Sequence, residues 1–163
     1  MLLVVADTSP LRYLVEIGQI GLLPQLFEKI FIPSLVYNEL RHPAAPASVR
    51  AWANSRPGWL EVLPVTPSDD PALQTLDAGE RSALALGASL GADLILIDDR
   101  KGAAVALRKG FEITGTLGLL TRGAQRGLVD LADALAQLKR TNFRYRQELF
   151  NDLLTKYPKG GNV

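Results

Sequence analysis

The segment "ADLILI", Ala92–Ile97, is apolar at nearly every position. A strand without a polar side must be covered on both faces, which is the situation of an inner strand in a parallel sheet. The opening "MLLVVA" reads as a second buried strand and "IFI" (Ile30–Ile32) as a short third. "WLEVLPV" and "FEIT" add two more, and Pro64 marks the former as an edge strand, because proline gives no donor to a ladder. Helical spacing fills the intervals. Leu11, Leu14, Val15 and Ile17 share a face that ends at Gly18. "IGLLPQLFEK", "SLVYNELR" after Pro33, "VRAWANS", "DAGERSALALGASLG" and "DRKGAAVALRKG" follow. "TLGLLTRGAQRG", "LVDLADALAQLKR" and "YRQELFNDLLTKY" close the chain. Strands alternating with helices predict an α/β fold, a three-layer sandwich with a central, mainly parallel β-sheet flanked by helices. The 163 residues suit one domain over 1–157, with a flexible tail over 158–163.

The composition removes several kinds of chemistry. There is no cysteine, so disulfides and thiolate metal sites are excluded. His42 is the single histidine, which argues against histidine-based zinc sites and histidine triads. No apolar run reaches the roughly 18–20 residues that span a bilayer. The first residues lack a basic leader region, so the expected location is cytoplasmic. The net charge of +1 neither demands nor excludes nucleic acid.

The acids carry the functional signal. "VVADTSP" ends a strand on Asp7, and "LILIDDR" ends another on Asp98 and Asp99. The carboxyl ends of strands form the ligand-binding edge of open α/β sheets. Strands that are neighbours lie about 4.8 Å apart, so such carboxylates repel and raise one another's pKa. Two helices add to them. Glu39 falls within the arc of Leu35, Val36 and Leu40, and Glu80 shares a face with Ala83, Leu84 and Gly87.

Each acid also has a plainer reading. Asp7 can cap the helix that follows, and Thr8 and Ser9 can cap it as well. Asp77 and Glu80 fit a capping box. Glu39 can pair with Arg41 or His42, and one of Asp98 and Asp99 can cap the helix from Arg100. None of these explains why acids gather at element ends facing the core. A set of oxygen ligands favours Mg²⁺ or Mn²⁺. An acidic pocket holding such ions suits attack of water on a phosphodiester.

The order of motifs resembles the PIN-domain family, and within it the VapC-like toxins of toxin–antitoxin pairs. "VVADTSPL", "IPSLVYNEL", "LDAGERSALALG", "ADLILIDDRKGAAVA" and "ITGTLGLLTRGAQRGLV" carry the resemblance, the last like a subgroup with a "GTLG" turn. The resemblance implies a metal-dependent endoribonuclease held inactive by an antitoxin protein, and a homodimer. By position it implies catalytic acids at Asp7, Glu39, Glu80 and Asp98. It implies Mg²⁺ or Mn²⁺ among Asp7, Glu80, Asp98 and Asp99, with Thr8 or Ser9 orienting a ligand or water. One of Asp98 and Asp99 would face the metal, while the other caps or binds through water. Arg12, Arg41, Arg100 and Lys101, next to the acidic elements, are candidate RNA contacts. In "LKRTNFRYRQ", Lys139, Arg140, Arg144 and Arg146 alternate with Phe143 and Tyr145, a weaker signal of the same kind.

Two other classes compete. A haloacid-dehalogenase-type phosphatase needs D-x-D after its first strand, and Ser9 stands at the second position. A catalytically silent PIN-like binding protein would keep the fold without using the acids.

Overall fold

The computed structural model of the chain describes residues 2–158. Residues 159–163, most of the expected tail, lie outside the described residues, as does Met1. A five-stranded sheet runs in the order β3-β2-β1-β4-β5. Its strands are β1 (Val4–Ala6), β2 (Ile30–Pro33), β3 (Leu60–Leu63), β4 (Leu94–Leu96) and β5 (Glu112–Thr114). Every pairing is parallel, so the mainly parallel sheet expected from the sequence is wholly so. β1 lies in the middle, in register with β4 through Val4↔Leu94, Val5↔Ile95 and Ala6↔Leu96. β3 is an edge strand, as Pro64 predicts, and it stops one residue before that proline.

Strand alternation divides the core into two apolar clusters. Val4, Ala6, Ile30, Ile32, Leu94 and Leu96 face the larger one. That cluster is covered by α1 (Thr8–Glu16), α2 (Leu22–Leu26), α3 (Ser34–Leu40), α4 (Ala47–Asn54), α7 (Thr116–Gln125), α8 (Leu131–Leu138) and α9 (Gln147–Lys156). Val5, Ile95 and Ile97 face the other cluster, under α5 (Ala78–Leu90) and α6 (Arg100–Arg108). A strand only three residues long is stable here because both faces are sealed. The Trp52 and Trp59 rings meet at a tilt of 42°, 6.0 Å apart, and pack, half-buried, against the larger cluster. The polar stretch after β3 contains a short 3-10 turn, Pro71–Leu73, capped by Asp70.

Helix ends follow local chemistry. α1 stops at Ile17, and Gly18 takes the positive φ of 73° that turns the chain away. α5 opens with the expected capping box. Asp77 accepts from the Glu80 amide at 2.8 Å, while Glu80 Oε1 accepts from the Asp77 amide at 3.2 Å. No helix among the described residues is long and apolar enough to cross a membrane.

Candidate functional site

All five strands run the same way, so β1 and β4 deliver their following residues to one edge. Asp7 follows β1 and is tied to β4 by its amide, which donates to Leu96 O at 2.9 Å. It occupies the N-cap position of α1, yet its carboxylate makes no capping hydrogen bond. It is 6% exposed. Beyond the adjoining Thr8 amide, this buried carboxylate has no capping role to satisfy it.

Three further carboxylates approach it. Glu39, in the last turn of α3, accepts from Thr8 Oγ1 at 2.6 Å. It is exposed, unlike the inward-facing residue expected from its helical arc, and its partner is Thr8 rather than Arg41 or His42. Glu80 is buried in the first turn of α5 and spends one oxygen on the capping box. Asp77 joins the group through the same box. The close approach depends on Gly79. A Cβ there would lie 2.7 Å from Glu39 Oε1 and 3.3 Å from Asp7 Oδ1, so a side chain would occupy the space the two carboxylates share.

Asp98 and Asp99 part company. Asp99 caps α6 by accepting from the Gly102 amide at 2.9 Å, and it lies beside Glu80. Asp98 turns to the GTLG segment. Its Oδ1 accepts from the Thr116 amide at 2.7 Å and its Oδ2 from Thr116 Oγ1 at 2.8 Å. Gly115 permits this, since a Cβ there would stand 2.5 Å from Asp98 Oδ1. The structure therefore brings Asp7, Glu39, Glu80, Asp77 and Asp99 into one neighbourhood and directs the Asp98 carboxylate to α7.

The electrostatics reflect the crowding. Burial pushes the Asp7 carboxyl up to about 7; the Thr8 amide opposes this, while Asp77, Glu80 and Glu39 add to it. Burial likewise raises Glu80 to about 7, with Asp77 and Asp99 pushing the same way against the Asp77 amide. Asp98 is raised by burial and held back by its two bonds to Thr116. Among the described residues, none of these acids has a Lys or Arg in an ion pair. Nor do any three His, Cys, Asp or Glu side chains among them already converge at coordinating distance. The donors are all oxygen and short of positive charge, which fits a hard divalent cation that takes one or two carboxylates directly and keeps part of its water.

The basic candidates stand around this edge. Arg12 bonds Glu16 at 3.0 Å and Asn142 at 3.2 Å, and lines a groove of about 380 Å³ with Thr8, Glu39 and His42. Arg41 lies over the Tyr37 ring at 4.7 Å. Arg100 and Lys101 are exposed in the first turn of α6. Ser9 is half-buried in the first turn of α1. The "LKRTNFRYRQ" segment docks on α1. The Tyr13 hydroxyl donates to Asn142 at 2.7 Å, and Phe143 meets the Tyr13 ring edge-on at 5.0 Å.

Sequence reading assigned Thr116 no role and gave Asp77 only that of a cap. Thr116 was accessible to the strand-edge argument, because it starts α7 two residues after β5 ends.

No curated protein matches the chain in sequence. A family model described as a PIN domain matches residues 3–159. PIN domains are in general nucleases, and this chain belongs to the PIN-domain family.

Proposed function

We propose that the chain is an Mg²⁺- or Mn²⁺-dependent endoribonuclease that acts in the cytoplasm as the toxin of a toxin–antitoxin pair. In this reading it forms a homodimer and is silenced by a cognate antitoxin protein. The observation that carries the nuclease reading is Asp7: a buried carboxylate at a strand end, raised to about 7, uncapped, with other carboxylates around it. Burying such a group destabilises the fold, and a cation is the simplest compensation. Asp7, Glu80 and Asp99 are the residues that would hold the ion, with Glu39 on the open side. The ion would offset charge on a phosphodiester and acidify the attacking water.

The chain's own groups do the rest. Thr8 Oγ1 fixes the Glu39 carboxylate. The capping box fixes Glu80, whose carboxyl also meets Asp99. Asp98 holds Thr116 and so positions α7 at the same edge. Without a cation the clustered negative charge repels an RNA backbone, so activity depends strictly on metal.

The test is cleavage of a mixed-sequence single-stranded RNA by purified protein with Mn²⁺ or Mg²⁺, with EDTA and Asp7→Asn as controls. Metal-dependent cleavage lost in Asp7→Asn is the expected result. Cleavage that survives EDTA removes the metal from the reading. No cleavage and no calorimetric metal binding leaves the silent binding protein. Arrest of growth on expression, relieved by a co-expressed neighbouring gene product, tests the toxin assignment.

A further inference from the structure

α3 and α5 carry Glu39 and Glu80 toward Asp7, and they also frame a second concavity. This cleft of about 570 Å³ lies between them and the segment that follows β3. Ser34 and Asn38 line it from α3, Arg81 and Ser82 from α5, and Thr66 and Ser68 from the post-β3 segment. Asn38 precedes Glu39 and Arg81 follows Glu80, so on both helices the cleft begins one residue from the acids.

Its chemistry is the reverse of its neighbour's. No carboxylate lines it, and Arg81 is its one charged lining residue. Arg81 makes no ion pair and no side-chain hydrogen bond among the described residues. An unpaired guanidinium beside a carboxylate cluster is where an anion approaching that cluster is held. The remaining lining is apolar surface with two amides, Asn38 and Gln74, and several hydroxyls. That combination suits the face and edges of an unstacked base, the form in which single-stranded RNA is read. The volume falls within the range of small-ligand sites, roughly 300–1,000 Å³. The groove on the other flank contains Glu39 itself and offers a phosphate a poorer reception.

We infer that this cleft seats one unpaired nucleotide of the RNA strand, with Arg81 on its phosphate and Asn38 on its base edge. The inference rests on the ribonuclease reading for the identity of the strand, and its test is made without catalysis.

Binding of a fluorescein-labelled single-stranded oligoribonucleotide is measured by anisotropy at low salt in Ca²⁺, which offsets the clustered carboxylates in place of Mn²⁺ or Mg²⁺, with circular dichroism confirming the fold of each variant. Arg81→Gln is expected to weaken binding about tenfold, the loss of one charge-assisted contact. Asn38→Ala is expected to weaken it less, and unequally for oligonucleotides of different base. Arg108→Gln, at the far end of α6, removes the same charge outside the cleft and is expected to bind like wild type. Equal weakening by Arg108→Gln and Arg81→Gln reduces the effect to net charge and overturns the proposal. So does wild-type binding by folded Arg81→Gln and Asn38→Ala, the outcome expected of a cleft that takes a peptide instead. So does an absence of RNA binding by the wild type. Arg81-dependent binding by a wild type that cleaves nothing in Mn²⁺ upholds the cleft and sinks the nuclease.

Discussion

Thr8 Oγ1 donates a 2.6 Å hydrogen bond to Oε2 of Glu39, joining the first turn of α1 to the last turn of α3. Glu39 is exposed, and this is the side-chain hydrogen bond that fixes it. Thr8→Val keeps the shape and removes the donor. RNA cleavage is expected to fall about tenfold, as it does when a group supporting a metal ligand is lost. Thr8→Ser should restore it. Melting in EDTA should change by no more than about 1 kcal/mol, the ordinary net worth of one hydrogen bond. Cleavage by Thr8→Val at the wild-type rate would show that Glu39 needs no such guide.

Gly79 supplies the space in which Asp7 and Glu39 approach. In Gly79→Ala the new Cβ meets Glu39 Oε1 at 2.7 Å, and the exposed glutamate is the group free to give way. Alanine is the better helix former by about 1 kcal/mol, so metal-free stability should be unchanged or slightly higher. Cleavage should be lost, and so should most of the rise in melting temperature caused by Mn²⁺. Thermal melts with and without Mn²⁺ separate these effects. A full Mn²⁺ response in Gly79→Ala would place the metal away from Glu39.

The raised pKa of Asp7 fixes the sign of a pH effect. The carboxyl titrates near 3.8 in the unfolded chain and about 7 in the fold. Between those values the native state binds more protons, so stability falls as pH rises. Glu80 acts in the same direction. In EDTA the protein should therefore melt lower at pH 8 than at pH 5.5, by an amount on the order of 3 kcal/mol, or roughly 6–12 °C. Mn²⁺ should raise the melting temperature more at pH 8 than at pH 5.5. Asp7→Asn, with no charge to bury, should flatten the metal-free profile and raise stability at pH 8. A metal-free melting temperature that climbs between pH 5.5 and 8 would contradict the burial of an uncompensated Asp7.

Much of this arrangement is legible in the sequence because it is local. The Asp77–Glu80 capping box is a spacing of three residues, and the edge placement of β3 follows from one proline. That Asp7 and the "DD" pair share one sheet edge follows from two apolar runs and the parallel-sheet rule; that β1 and β4 are neighbours is seen only in the fold. What escapes is long-range and depends on side-chain direction. Helical periodicity puts Glu39 in an apolar arc, but at the last turn of α3 a residue in that arc meets the open sheet edge instead of the core. Thr116 is 18 residues from Asp98 in sequence, and only the parallel pairing of β4 with β5 brings them together. The "LKRTNFRYRQ" segment reads as a charged stretch. Its contact with α1 comes from Asn142 and Phe143, whose partners are about 130 residues away.

The same long-range geometry divides Asp98 from Asp99, and the division can be measured. Asp98 satisfies the amide and hydroxyl of Thr116, which is fully buried. Asp98→Ala leaves both donors without partners, at a cost of about 2–3 kcal/mol, or roughly 4–12 °C of melting temperature. Asp99 caps α6 and lies beside Glu80. Asp99→Asn keeps a good cap and removes a charge, so metal-free stability should hold or improve. Its rise in melting temperature with Mn²⁺ should shrink, and cleavage should fall with it. Melting of both variants in EDTA and then in Mn²⁺ gives the comparison. A stable Asp98→Ala that no longer responds to Mn²⁺, beside an Asp99→Asn that responds fully, would exchange the two roles. Asp98 would then be the acid that faces the metal, and Asp99 only the cap of α6.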